Sequence, residues 1–234
     1  VEIKTPQKGE KLKFVEMAEN NALITLKNKE NEKSNILIEL KQALGMEKLP
    51  RKIESYDISN LSGTNMVAGM CVMQENKIKK NLSRRFKVKE VYGQDDPKCM
   101  KEVVKRRLRH SVRILNNDNN GFGELPDVIF ADGGITQIRA IEQAIEGVNV
   151  DIEKAAKDRQ IELSEKDKLN IPVFGMVKND KHQTRALMND KREEIEISQE
   201  LLNTITMFQD AVHDTAIGYH RKLRNEEITK SALD

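Results

Sequence analysis

The sequence predicts an α/β protein: a mixed five-stranded sheet with helices on both faces, preceded by a helical lead-in. Three observations carry this. Short apolar runs with strand patterning recur at 51–58, 66–73, 80–91, 126–131 and 171–177. Helical periodicity fills 95–115, 137–145 and 198–224. The resulting order is β-β-β-α-β-α-β-α. Hairpin-length joints link the first runs and helices separate the later ones, so an antiparallel meander leads into parallel crossovers.

Each element has a local reason. Residues 1–50 read as a lead-in or linker, with residues 51–234 as the domain proper. Lys4 to Glu10 is rich in turn formers. Leu12, Val15, Met17, Ala18, Ala22 and Leu26, then Ile36, Ile38, Leu40 and Leu44, space out as one long helix and a short one. Gly45 to Pro50 breaks the pattern. Ile53 to Ile58 opens the sheet, and Met66 to Met73 follows a Ser-Gly-Thr-Asn turn. Lys80 to Val91 sets Leu82, Phe86, Val88 and Val91 among basic neighbours. Asp95-Asp96-Pro97 suits a helix start, with Asp as cap and Pro in the first turn. Met100, Val103, Val104, Leu108, Val112 and Leu115 then share a face. Residues 116–123 read as a polar loop. Val128-Ile-Phe-Ala131 has no polar member, as a central parallel strand should. Gln137 to Ile145 reads as a helix, and 149–170 as charge-rich chain, mobile or loosely helical. His182 to Arg192 reads as a polar loop or hairpin, and Ile195 to Ile197 as a short pairing segment. Ser198 caps a last helix running to about Arg224.

Bulk properties exclude several classes. Charged residues make up 33% of 234 and the mean hydropathy is −0.64. No apolar run approaches the roughly 20 residues that span a bilayer. The opening Val-Glu-Ile-Lys resembles neither a signal peptide nor an initiator start, and we expect a piece of a longer protein. Cys71 and Cys99 lack metal-ligand spacing and are expected as reduced thiols of a cytoplasmic protein. There is no Trp and only 4% aromatic residues, which argues against base stacking on exposed rings.

The net charge of +2 hides a bias: residues 77–113 hold 14 Lys/Arg against 4 acids, leaving +10 there and −8 elsewhere. Such a cluster suits a phosphate backbone, although a solvated face would show the same composition. Within it Arg84, Arg85, Arg106 and Arg107 are the expected DNA contacts. A second basic stretch follows the fifth strand, where Lys178 and Arg185 read equally well as contacts to a nucleic-acid strand and as part of a solvated loop.

Asp57 ends the first strand and Asp132 ends the fourth, directly before Gly133-Gly134. His213 lies within the last helix. Hard cations such as Mg²⁺ or Mn²⁺ want a few carboxylate oxygens with positions left for phosphate and water. Strand tips plus one late helix are a ready way to supply them. Taken singly, each Asp reads equally well as a turn residue and His213 as a structural histidine. Asp210, three residues before His213, shares its face and is expected to orient it or approach the metal. The β-β-β-α-β-α-β-α order with carboxylates on strands one and four fits the ribonuclease H type of fold.

The residues also carry a resemblance. Ile53-Glu54 through Asp57-Ile58-Ser59-Asn60, Arg84-Arg85-Phe86, Gly93-Gln-Asp-Asp96 with Met100, Glu102-Val103 and Arg106-Arg107 match the C-terminal half of the UvrC family. So do Leu125-Pro126-Asp127, Asp132-Gly133-Gly134 with Gln137, Ile171-Pro-Val-Phe-Gly175, Lys178 to Arg185, and Asp210, His213, Ala216-Ile217, His220-Arg221. The likeness spans about residues 1–225. It implies a ribonuclease H-like endonuclease domain that makes the 5′ incision beside a lesion in damaged double-stranded DNA during nucleotide excision repair. It also implies a metal-binding triad matching Asp57, Asp132 and His213, with Mg²⁺ or Mn²⁺ as cofactor. Glu102 is the acid in the place of the first-helix Glu of ribonuclease H enzymes. In that family a GIY-YIG nuclease makes the 3′ cut, a separate segment meets UvrB, and tandem helix-hairpin-helix units add DNA affinity. We expect all three to lie outside this chain, which alone should bind DNA weakly. No membrane partner is expected. Two departures stand out: Ile135-Thr136 where relatives have Lys-Gly, and Asp214-Thr215 where they have Arg-Phe.

Two rival readings follow from the residues. One is a non-catalytic nucleic-acid or protein-binding module on the same fold. The other is a phosphate-binding metabolic enzyme using the Gly133-Gly134 turn, which lacks a Gly-rich nucleotide fingerprint. If the basic segment binds a polyanion, the logarithm of the DNA association constant should fall steeply and linearly with the logarithm of salt. A flat response in a filter-binding or anisotropy titration would remove the case for it.

Overall fold

The computed structural model describes residues 6–61, 65–89, 91, 95–115, 123–179 and 183–231, with side chains described except at 27–34, 60–61, 65 and 219–231. The loop expected at 116–123 therefore falls, apart from Gly123, outside the described residues. The same holds for residues 93–94, for Lys181 and His182, and for the side chains of His220 and Arg221.

Among the described residues eight strands form a single sheet. In chain order they are β1 (Lys52–Leu61), β2 (Asn65–Gln74), β3 (Lys77–Ile78), β4 (Arg84–Lys87), β5 (Val128–Asp132), β6 (Val173–Lys178), β7 (Thr184–Met188) and β8 (Glu194–Ile195). The helices are α1 (Glu10–Ala43), α2 (Asp96–Ser111), α3 (Ile135–Asp158) and α4 (Gln199–Ser231). The sheet order is β3-β2-β1-β5-β6-β7-β8, with β4 also paired to β2. The central strands β1, β5 and β6 run parallel and the flanking ones antiparallel. The mixed sheet with helices on both faces is thus as expected, but wider than five strands. Among its described residues the run at 80–91 forms one short strand, β4, while β3 lies ahead of it, and the two pair with different stretches of β2. The stretch after β6 pairs as β7 and β8 instead of ending the sheet.

Three further expectations change. The lead-in is one unbroken helix, α1, where the spacing suggested two. Ile36, Leu37 and Leu40 on its last turns are buried, and Ile36 and Leu40 join the core under α4. Helix α3 continues 13 residues past Ile145 to Asp158, because Val148, Ile152 and Ala156 extend its buried stripe. Helix α4 runs to Ser231, beyond Arg224. The caps behave as read: the Asp95 carboxylate accepts from Lys98 N at 3.0 Å, and Ser198 Oγ accepts from Leu201 N at 3.1 Å.

The alternation of β1 sets the two layers. Glu54 and Tyr56 face α2 and α3, in a core with Val103, Val104, Leu108, Ile138 and Ile141. Ile53 faces α4, in a core with Phe130, Phe174, Leu201, Ile205, Phe208 and Val212. Phe130 of β5 meets Phe208 of α4 edge to face at 6.5 Å between ring centres. By the period of two, Asp57 and Asp132 lie on the α4 side.

Arg107 corrects the sequence reading. Expected to contact DNA, it is fully buried under the other layer, where its Nη2 meets Glu54 Oε1 at 2.6 Å. It also donates to Ser111 Oγ at 2.5 Å and to the Glu124 carbonyl at 3.1 Å. Tyr56 Oη donates to the other Glu54 oxygen at 2.7 Å, and Lys52 Nζ lies 3.7 Å from Glu54 Oε1. The cluster ties α2 to β1. Removing one partner of a buried pair strands the other charge, at about 3–5 kcal/mol, whereas replacing both by apolar groups is often neutral. Arg107→Met should therefore lower the urea midpoint sharply, and Glu54→Leu in the same chain should restore much of it. Equal loss in the single and double variants would contradict this assignment.

Candidate active site

The parallel strands β1, β5 and β6 deliver side chains at one edge of the sheet. Asp57 follows Tyr56, which pairs with Ala131, so Asp57 and Asp132 are neighbours one step further along the ladder. Lys178 ends β6. Ligand sites in open α/β sheets gather at the carboxyl ends of such strands. Gly133, at φ +141°, turns the chain sharply after Asp132. Gly175, opposite Ala131, lets the Gly133 carbonyl pass where a Cβ would collide with it.

Helix α4 closes the site from above. Leu201, Ile205, Phe208, Val212 and Ala216 form its buried stripe. The helix lies on β2 at Gly69, the cross-strand partner of Asp57. A Cβ on Gly69 would stand 2.7 Å from Ala216 N and 3.0 Å from Val212 O, so only glycine admits the backbone of α4 this closely. That contact lowers His213 onto Asp57, with Nδ1 at 3.0 Å from Oδ2. Ligand atoms of Asp57, Asp132 and His213 all lie within 4.8 Å of one another.

Two carboxylates this close repel unless cations or donors offset them. Burial first, and then the charge of Asp132, hold the Asp57 carboxyl above the usual carboxylate range, against the pull of His213 and Lys178. Lys178 Nζ sits 2.8 Å from Asp132 Oδ1 and 3.0 Å from Oδ2. Gln209 Nε2 donates to Asp132 Oδ1 at 2.5 Å, and Thr184 Oγ1 donates to Gln209 Oε1. The imidazole is half exposed, so the cluster opens to solvent on the His213 side. The donor set fits a hard divalent cation: two carboxylates and one imidazole, open on one side.

Several expected site residues fall elsewhere. Lys178 was expected on DNA and is instead paired with Asp132, because β6 ends level with β5. Asp210 is exposed in a groove with Lys80, Arg84, Arg85 and Asp214, and among the described residues it makes no hydrogen bond to His213. Glu102 lies on α2, across the sheet from α4. Its oxygens accept from Lys89 N at 3.0 and 3.1 Å and pair with Arg106 at 3.0 Å, so it is out of reach of the triad. Arg106 also donates to the Lys87 carbonyl at 2.9 Å and lies 5.4 Å from the Phe86 ring centre. Arg185 forms a forked pair with Glu194.

The basic segment divides in two. On α2 the cations are largely matched by acids: Lys105 and Arg109 by Asp151, Arg106 by Glu102, and Arg107 by Glu54. Along the β3–β4 edge, Lys77, Lys79, Lys80, Arg85 and Lys87 make no ion pair among the described residues. Arg84 donates to the carbonyls of Asn81 and Ser83 at 2.8 and 2.9 Å. Arg85 pairs with Gly69, which places Asp57, Gly69 and Arg85 in a row across three strands.

Gln209 and Thr184 were missed by the sequence reading. The usable signal was spacing: Gln209 lies four residues before His213 and so shares its face of the helix.

Comparison with known proteins adds a family. A family model described as the UvrC RNAse H endonuclease domain matches residues 41–217. UvrABC system protein C of Clostridium acetobutylicum is 37% identical over 250 residues, covering 100% of this chain and 37% of that protein. Its counterpart in Clostridioides difficile is 39% identical over 242 residues, covering 100% of this chain and 35% of that protein. The chain therefore spans little more than a third of the curated relatives it matches. Among solved structures, human ENDOV matches 74% of this chain and 86% of its own at 13% identity, with a TM-score of 0.35.

Gly69→Ala should force α4 off the sheet, cost about 1–3 kcal/mol by overpacking, and weaken divalent-cation binding in the same step. Gly147→Ala on α3, whose Cβ would first meet the flexible Lys105 side chain at 3.4 Å, should leave metal binding unchanged and raise stability by up to about 1 kcal/mol. Calorimetric titration with Mn²⁺ beside thermal unfolding measures both. Full metal affinity in a destabilised Gly69→Ala protein would contradict the role given to this contact.

Proposed function

The chain belongs to the UvrC ribonuclease H endonuclease domain family, and we propose that it hydrolyses one phosphodiester of damaged double-stranded DNA with Mg²⁺ or Mn²⁺ held by Asp57, Asp132 and His213. The convergence of these three side chains within 4.8 Å carries the reading. In the proposed setting this is the 5′ incision of nucleotide excision repair, within a larger assembly that includes UvrB.

The protein groups divide the work. Asp57 and Asp132 would hold the cation, which when bound lowers the pKa of water and neutralises phosphate oxygens. Lys178 neutralises Asp132 until a cation replaces it. His213 holds Asp57 through Nδ1, and Nε2 of its exposed ring serves either as the third ligand or, with the cation on the carboxylates alone, as the acceptor of a proton near the scissile bond. The unmatched cations of the β3–β4 edge, with Arg84, favour the DNA backbone without reading bases. Arg106 and Arg185 belong to this surface only where phosphate displaces their acidic partners.

Two free, buried cysteines suit the reducing cytoplasm, and no helix among the described residues is long and apolar enough to cross a membrane.

His213→Ala in the full-length protein should reduce 5′ incision by about 10²-fold or more while leaving DNA affinity within about twofold. An equal loss of binding and incision would contradict this role. Asp57→Ala should abolish Mn²⁺ binding, and unchanged binding would favour the non-catalytic module.

A further inference from the structure

Gln209 has no part in the chemistry assigned above, yet it is 3% exposed and touches a carboxylate which that chemistry needs. A buried amide is costly unless both its ends find partners. Here both do. Thr184, itself only 5% exposed on β7, donates its hydroxyl proton to Gln209 Oε1. Gln209 Nε2 then donates to Asp132 Oδ1 at 2.5 Å. The arrangement has a direction. A flipped amide would set its oxygen against Asp132 Oδ1, acceptor against acceptor, and leave the threonine hydroxyl facing an NH₂ group. The carboxylate thus selects which end of Gln209 it meets, and the Thr184 hydroxyl, donating to Oε1, anchors the other end.

Asp132 has a second partner of a different kind. Lys178 Nζ bridges both oxygens from a flexible side chain that is 33% exposed. That chain can swing into solvent when another cation arrives. Gln209 cannot swing out in this way, being buried on the inner face of α4. It stands one helical turn before His213, so a single helix grips both carboxylates, Gln209 on Asp132 and His213 on Asp57.

We propose that Gln209, locked by Thr184, is a positioning residue that holds the Asp132 carboxylate in its metal-ligating orientation after Lys178 has let go. Lys178 gives up both oxygens, and with Oδ1 still bonded to the amide Oδ2 is the one left wholly open to the cation. This deepens the metal-dependent reading and rests on it, since it takes Asp132 to be a ligand. Partners of ligating carboxylates typically contribute about 10–100-fold to metal affinity.

The test is the Mn²⁺ dissociation constant of this chain, by calorimetric titration, alongside its melting temperature. Gln209→Met keeps the volume and loses the N–H. It should weaken Mn²⁺ binding at least about tenfold. Thr184→Val leaves the glutamine in place but frees it to rotate, and should weaken binding in the same direction. The double variant should bind no more weakly than Gln209→Met alone, because the two act through one hydrogen bond to Asp132. A lowered melting temperature with unsubstituted affinity would show mere packing and overturn the proposal. Should Gln209→Met fail to fold, unsubstituted affinity in Thr184→Val overturns it equally. If the unsubstituted protein binds no Mn²⁺ at all, the metal reading falls first and this proposal with it.

Discussion

The closeness of α4 to β2 at Gly69 is the constraint on which the site depends. A sheet and a helix normally stand apart by the thickness of two side-chain layers. At Gly69 there is no side chain, and the backbone at Ala216 and Val212 comes down to the strand. Because Gly69 pairs with Asp57, this is also where His213 descends on the carboxylate. The apolar stripe of α4 presses the helix onto the sheet, and the missing Cβ decides how far it goes. Asp57, Asp132 and His213 come from three distant parts of the chain, and packing, not local sequence, brings them together.

That packing creates an electrostatic problem which the surrounding residues offset. Asp57 and Asp132 are largely buried neighbours, and burial and mutual repulsion both favour protonation. Lys178 supplies the nearest positive charge, His213 and Gln209 supply hydrogen-bond partners, and Thr184 anchors the amide. A site with a movable lysine on one side and a fixed amide on the other can exchange an ammonium for a metal ion without losing its shape. The opposite layer has a counterpart in Glu54, Arg107, Tyr56 and Lys52, where one buried carboxylate meets two cations and a phenol hydroxyl. The two clusters alternate along β1, one per face.

Much of this was legible in the sequence and some was not. The strand-terminal positions of Asp57 and Asp132 follow from apolar runs that stop at an acid, and the helix under His213 from its apolar spacing. The wholly apolar β5 announced a central strand. Composition misled where it counted charges without partners. Arg107 sits on the buried stripe of α2, four residues after Val103 and one before Leu108, and its periodicity pointed inward even though its charge suggested DNA. Glu102 faced the wrong layer, which sheet topology decides and helix spacing does not. Asp210 was expected beside His213 for its charge and three-residue spacing, whereas Gln209, four residues before His213, is the one that contacts the triad. Lys178 read as a loop cation because its strand neighbour β5 cannot be inferred from local pattern. The extra strand β3 ahead of the expected run, the shortness of β4 and the length of α3 depended on tertiary pairing and a continued buried stripe.

The central claim is that these three side chains form one cation site from which Lys178 withdraws. Crystals soaked in Mn²⁺ and measured at the manganese edge test it directly. The account predicts one or more anomalous peaks within ligand distance of Asp57, Asp132 and His213, with the Lys178 ammonium displaced from Asp132 and Gln209 still bonded to it. No peak there, or manganese bound elsewhere with the Lys178–Asp132 pair intact, would contradict it.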